Sequence, residues 1–127
     1  MSNSVRYFEV MGKDGKALRA FYRDLFEWSI AEPDQDLGYD YGRIDAGEGG
    51  VPGAIGSVQE GDTGYATFYV EVDDPEATLA RVEALGGKTV LPVTVVPSTG
   101  VKFAYFADPE GHTIGIGSGL QPVGGRD

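Results

Sequence analysis

The 127-residue chain contains no cysteine, one histidine and one tryptophan. Lack of cysteine excludes disulfides, thiolate nucleophiles and zinc–sulfur sites together. Positive charge is scarce: 10 lysines and arginines stand against 20 aspartates and glutamates, a formal net charge of −10. With no Lys/Arg cluster, this argues against nucleic acid or an anionic membrane as a partner. No apolar run approaches the ~18 residues of a membrane-spanning helix. The opening MSNSVRYFEV has neither the basic nor the apolar segment of a signal peptide, so a cytoplasmic protein is expected.

Glycine is abundant. Twenty glycines and seven prolines predict many turns between short strands. The length is that of one domain able to bury a core without staples. VRYFEVM reads as a strand. Asp14 then caps a helix over GKALRAFYRDLF, with Leu18, Phe21, Tyr22 and Leu25 on one apolar stripe. Strands follow at Trp28–Ala31, Tyr39–Asp45 and AIGSV, with the turn-rich EPDQDLG after the first of them.

After QEGDTG the order recurs. Tyr65–Val72 is a strand, Asp74 and Pro75 open a helix, and Gly86–Gly87 stop it. TVLPVTVV, VKFAYFA and HTIGIG complete three more strands, the last two joined by the DPEG turn. A shift of 60 residues superposes Phe8 on Phe68, Val10 on Val70, Asp14 on Asp74, Ala17 on Ala77, Ala20 on Ala80 and Leu25 on Leu85. The predicted class is α+β, a duplicated βαβββ module spanning about 5–60 and 65–118, followed by a loosely ordered tail over 119–127. One module cannot bury both its helix stripe and its sheet face. Two paired modules form curved mixed sheets around a cleft, with the helices outside.

The chain resembles the vicinal oxygen chelate superfamily, which includes glyoxalase I, extradiol dioxygenases, fosfomycin-resistance transferases and bleomycin-binding proteins. The resemblance runs from Val5 to Ser118 and rests on FYRDLFEW, YVEVDDPEATLARVEALGG and ADPEGHTIGI in that order. It implies the glyoxalase/bleomycin-resistance/dioxygenase-like fold, a homodimer and a small-molecule cleft. In the superfamily's enzymes four strand positions bind a divalent metal. Here three of them fall on Tyr7, Thr67 and Gly115, and the fourth lies within GAIGSV. None offers the imidazole or carboxylate that such a metal needs at about 2.0–2.2 Å. No metal at that site and no other cofactor are therefore expected.

Alternation puts Tyr7 and Glu9 on one face of the first strand, and Thr67, Tyr69 and Glu71 on one face of its counterpart. Glu71 is expected at the rim, in solvent. The candidate cleft comprises Tyr7, Glu9, Thr67, Tyr69, Phe103, Tyr105 and Gly115, and either face of strand 101–107 could line it. Arg43 suits an anionic ligand group or the bare surface. Ser4, Ser57 and Ser98 have no histidine placed beside them by any motif. His112, beside the DPEG turn, is expected at a solvent-exposed strand entry rather than in a metal site. Two functions remain open beside a third, an inactive structural or regulatory homodimer. One is a metal-free protein binding a small aromatic or amphipathic molecule. The other is a lyase, isomerase or dioxygenase-type enzyme with a displaced metal or metal-free acid–base chemistry, Glu9 as base and Tyr7 as acid.

Overall fold

Two aspartates start the two helices. Asp14 accepts from Ala17 N at 3.0 Å at the head of α1 (Gly15–Phe26), and Asp74 accepts from Ala77 N at 3.0 Å at the head of α2 (Pro75–Ala84). The bonds satisfy amides that a first helical turn leaves orphaned. The computed structural model describes residues 2–34 and 38–120. Among the described residues there are also eight strands: β1 (Val5–Gly12), β2 (Ser29–Ile30), β3 (Tyr41–Asp45), β4 (Gly53–Ser57), β5 (Tyr65–Glu71), β6 (Lys88–Val95), β7 (Lys102–Ala107) and β8 (Thr113–Ser118). The fold is α+β. Residues 35–37 of the EPDQDLG turn and 121–127 of the expected tail lie outside the described residues.

The chain divides into two compact units, one from Tyr7 to Ala66 and the other built of Thr67–Leu120 with the first residues up to Arg6. In the former the strand order is β2-β3-β4-β1, with β1 and β4 parallel and the other pairs antiparallel. In the latter it is β6-β7-β8-β5, with β5 and β8 parallel. The registers correspond residue by residue: Glu9 faces Ala54 and Val10 faces Ile55, just as Tyr69 faces Gly115 and Val70 faces Ile116. First strands and helices are thus related by a shift of 60 residues, and last strands by 61. This assigns the fourth superfamily position, open within GAIGSV in the sequence, to Ala54.

Each helix covers one face of its own sheet. Val72, Leu79, Ala104 and Ile116 form the core under α2, joined by Val70, Val93 and Phe106. Under α1 the arrangement departs from the expected stripe. Phe21 and Leu25 are each 56% exposed, while Arg19 is 4% exposed. Arg19 is innermost because its guanidinium donates to the Ile55 carbonyl at 3.0 Å and to Asp40 Oδ1 at 2.8 Å. Gly15 completes the contact, since a Cβ there would collide with Asp40 and with the backbone of Gly56. Trp28 anchors the helix's apolar side, stacked on Tyr22 at 5.7 Å and edge-on to Phe8 at 5.7 Å.

Candidate functional site

In the Tyr7–Ala66 unit, β1 alternation sends Phe8 and Gly12 toward α1: Phe8 meets Trp28, and a Cβ on Gly12 would touch Leu18. Tyr7, Glu9 and Met11 are on the other face. On β3, Gly42 lies against Arg19 of α1, leaving Tyr41 and Arg43 on the face of Tyr7 and Glu9. There the side chains form one network. Tyr41 donates to Glu9 Oε2 at 2.5 Å, Tyr65 donates to Glu9 Oε1 at 3.3 Å, and the Tyr7 and Tyr41 hydroxyls lie 3.1 Å apart. Tyr39 packs edge-on against Tyr41, with ring centroids 5.5 Å apart, and is itself 54% exposed.

Glu9 is only 5% exposed. A carboxylate so buried needs hydrogen-bond donors to replace water, and the tyrosine hydroxyls supply them. In return, Tyr41 is shifted well above the ordinary phenol range, first by burial and then by the negative charge of Glu9. Tyr7 is raised chiefly by burial, against the opposing effects of the Tyr41 hydrogen bond and the Arg43 charge. Tyr39 is raised by burial and by Glu9. The phenols therefore remain protonated donors at neutral pH.

The remaining expected residues gather in the other unit. Phe103 and Tyr105 occupy the β7 face opposite Ala104 and Phe106, which pack in the core under α2. This answers which face of that strand is turned from the helix. Tyr105 hydrogen-bonds through its hydroxyl to Tyr69, with rings 5.6 Å apart, and its ring meets Phe103 at 6.0 Å. Thr67 is buried, and its hydroxyl donates to the Thr113 carbonyl at 2.8 Å. The Tyr69 ring lies over Gly115, so that a Cβ on Gly115 would sit 2.5 Å from it. Glu71 is not merely solvated: its carboxylate accepts from the backbone amides of Gly119 and Leu120, both at 2.9 Å.

The superfamily's metal is tested by the donor set at these positions, now Tyr7, Ala54, Thr67 and Gly115. Two have no side-chain donor, Thr67 is committed to a carbonyl, and the space above Gly115 holds a tyrosine ring. The residues present do not fit the metal. Among the described residues no group of three or more His, Cys, Asp or Glu is placed to hold an ion. His112 is exposed and pairs with Asp108 at 3.0 Å, and Ser57 donates to Asp40 at 2.6 Å.

Sequence reasoning singled out Tyr7 and Glu9 but missed Tyr39, Tyr41 and Tyr65. The 60-residue repeat pairs Tyr41 with Val101 and gives no signal; only the strand register shows that Tyr41 faces Gly56 of β4 as Phe103 faces Gly117 of β8.

Residues 9–116 match the glyoxalase-like domain family. A Mycobacterium tuberculosis protein, CFP32, whose name carries a provisional glyoxylase assignment, is 30% identical over 97 residues. That match covers 76% of this chain and 37% of the relative, so the chain spans little more than a third of it. A glyoxylase-like domain-containing protein of Didymella fabae is 30% identical over 118 residues, covering 85% of this chain and 88% of the relative. Among solved structures, a glyoxalase/bleomycin resistance protein/dioxygenase superfamily member from Vibrio splendidus aligns at TM-score 0.62 and 17% identity, over 92% of this chain and 99% of that one. A Streptomyces coelicolor methylmalonyl-CoA epimerase bound to 2-nitronate-propionyl-CoA aligns at TM-score 0.66 and 14% identity, over 93% and 95%. At such identities the structures show a shared fold and no more.

Proposed function

We propose that this chain, which belongs to the glyoxalase-like domain family, binds a small aromatic or amphipathic molecule on the sheet face that carries Tyr7, Glu9 and Tyr41. The observation that carries the reading is the buried Glu9 carboxylate, enclosed by tyrosine hydroxyls on the face turned from α1. A network of this kind is a poor use of a sheet face needed only for stability, because polar burial contributes less than apolar packing of the same volume. The rings of Tyr39 and Tyr41 offer surfaces for a planar group. Arg43, exposed on the same face, offers a guanidinium to a polar or anionic substituent. Within the other unit, Thr67, Tyr69, Phe103, Tyr105 and Gly115 are the further residues proposed to contact a ligand. No resident metal is part of the reading. The superfamily resemblance adds a homodimer, the cytoplasm is the proposed location, and the net charge of −10 argues against nucleic acid.

A second reading has one specific observation behind it. The 2.5 Å bond from Tyr41 to Glu9, with Tyr7 next in line, is a route by which Glu9 could receive a proton from a substrate. The epimerases of the same fold were solved with CoA esters bound, which makes thioesters reasonable compounds to include in a screen.

The test is a thermal-shift screen of phenols, aromatic acids, planar antibiotics and thioesters against the wild-type chain and Glu9→Ala. A true ligand at a hundred times its Kd adds about 2.7 kcal/mol of stability. The expected result is a compound class that raises the wild-type melting point and leaves Glu9→Ala unmoved. Equal shifts in both proteins would remove this face from the account.

A further inference from the structure

The hydrogen-bond network around Glu9 has a fixed direction, and this restricts what the face can bind. A carboxylate only accepts, whereas each phenol has a single proton to donate. Tyr41 gives its proton to Glu9 Oε2. In the 3.1 Å pair with Tyr7, Tyr41 is therefore the acceptor and Tyr7 the donor. Tyr7 has then spent its only proton inward. Toward anything else on this face Tyr7 Oη offers lone pairs, and a phenol oxygen has two of them, so this polarity holds whatever further contacts it makes. The raised pKa of Tyr41 keeps the chain of donors intact at neutral pH.

We infer that Glu9, acting through Tyr41, fixes Tyr7 Oη as a hydrogen-bond acceptor, so that the preferred ligands present an O–H or N–H donor to it. Glu9 and Tyr41 are positioning residues in this scheme, and Tyr7 is the residue that touches the ligand and sets specificity. The inference rests on the binding reading above and adds the ligand's hydrogen-bonding sense to it. Glu9→Gln tests the direction. Its amide offers an N–H donor beside its carbonyl acceptor, so Tyr41 is no longer held as a donor; where the N–H donates to Tyr41, the Tyr41 proton is released for Tyr7 and the Tyr7 proton for the ligand.

The experiment measures affinities of para-ethylphenol, which donates, and para-ethylanisole, which only accepts, by calorimetry or ligand-observed NMR. The wild type, Tyr7→Phe and Glu9→Gln are compared. The extra methyl of the anisole is common to all three proteins, so changes in the affinity ratio report polarity. The wild type is expected to favour the phenol by about tenfold or more. Tyr7→Phe should lose most of that preference, and Glu9→Gln should shrink or invert it. Should Glu9→Gln fail to fold, which its melting curve reveals, Tyr7→Phe still decides. Equal wild-type affinities, or a preference untouched in Tyr7→Phe, overturn the polarity inference alone. Absence of binding by either probe overturns the binding reading together with it.

Discussion

At the scale of the residue, the most informative group is Tyr41, because it holds two others in place. Its hydroxyl is donor to Glu9 and acceptor to Tyr7. Tyr41→Phe removes the short bond and leaves a buried carboxylate short of a donor. Chemical denaturation is expected to show a loss of about 1–3 kcal/mol. The shifts also set a pH signature. Folded-state pKa values raised above the unfolded ones mean that the contributions of Tyr7, Tyr39 and Tyr41 are complete below about pH 10. They are lost as pH rises through the folded values. Tyr7, Tyr39 and Tyr41 should ionise late in an ultraviolet titration, and Tyr41→Phe should remove one late step. An unchanged number of late steps in Tyr41→Phe would contradict the network.

At the scale of the element, α1 is fastened by polar contacts. Arg19 ties it to the β4 backbone and to Asp40, while Ser57 receives a bond from Gly15 N at 2.8 Å and donates to Asp40. Burial raises the Asp40 pKa, but the bonds from Ser57 and Arg19 outweigh it, and the net shift is downward. A lowered folded value means that the Asp40 contribution is complete above its unfolded pKa of about 3.9. It is lost as pH falls through the lower folded value. Asp40→Asn should therefore flatten the acid limb of the stability curve. At neutral pH it should cost about 1–2 kcal/mol, less than a fully buried pair because the Asp40 side chain is 34% exposed. An unchanged acid limb would show that the pair does not fasten the helix.

The elements were legible in the sequence for local reasons. Asp14 and Asp74 announce helix starts, Pro75 suits a first turn, and period-two runs mark strands. The α1 stripe misled because periodicity records which residues share a face, not which face is buried. Arg19 is buried only because Ile55 and Asp40, far away in sequence, satisfy its charge. Half of the Glu9 network was legible for a similar reason: alternation along one strand pairs Tyr7 with Glu9. Tyr41 and Tyr65 reach Glu9 across 32 and 56 positions of chain, a proximity that no local pattern encodes.

At the scale of the whole molecule, a duplicated module preserves geometry while its chemistry diverges. The registers Glu9–Ala54 and Tyr69–Gly115 are equivalent, yet one first strand carries a buried carboxylate and the other an aromatic ring. The fold is that of the superfamily, while the side chains of Tyr7, Ala54, Thr67 and Gly115 do not fit its metal, and function is argued from such positions rather than from the fold. The Tyr7–Ala66 unit carries instead a set of oriented phenols around one carboxylate. Backbone amide NMR of the labelled chain, titrated with the compound giving the largest thermal shift, tests that claim most directly. The account predicts perturbations concentrated at Tyr7–Met11 and Tyr39–Arg43, weakened in Tyr7→Phe. Perturbations centred elsewhere, and unaffected by that substitution, would contradict it.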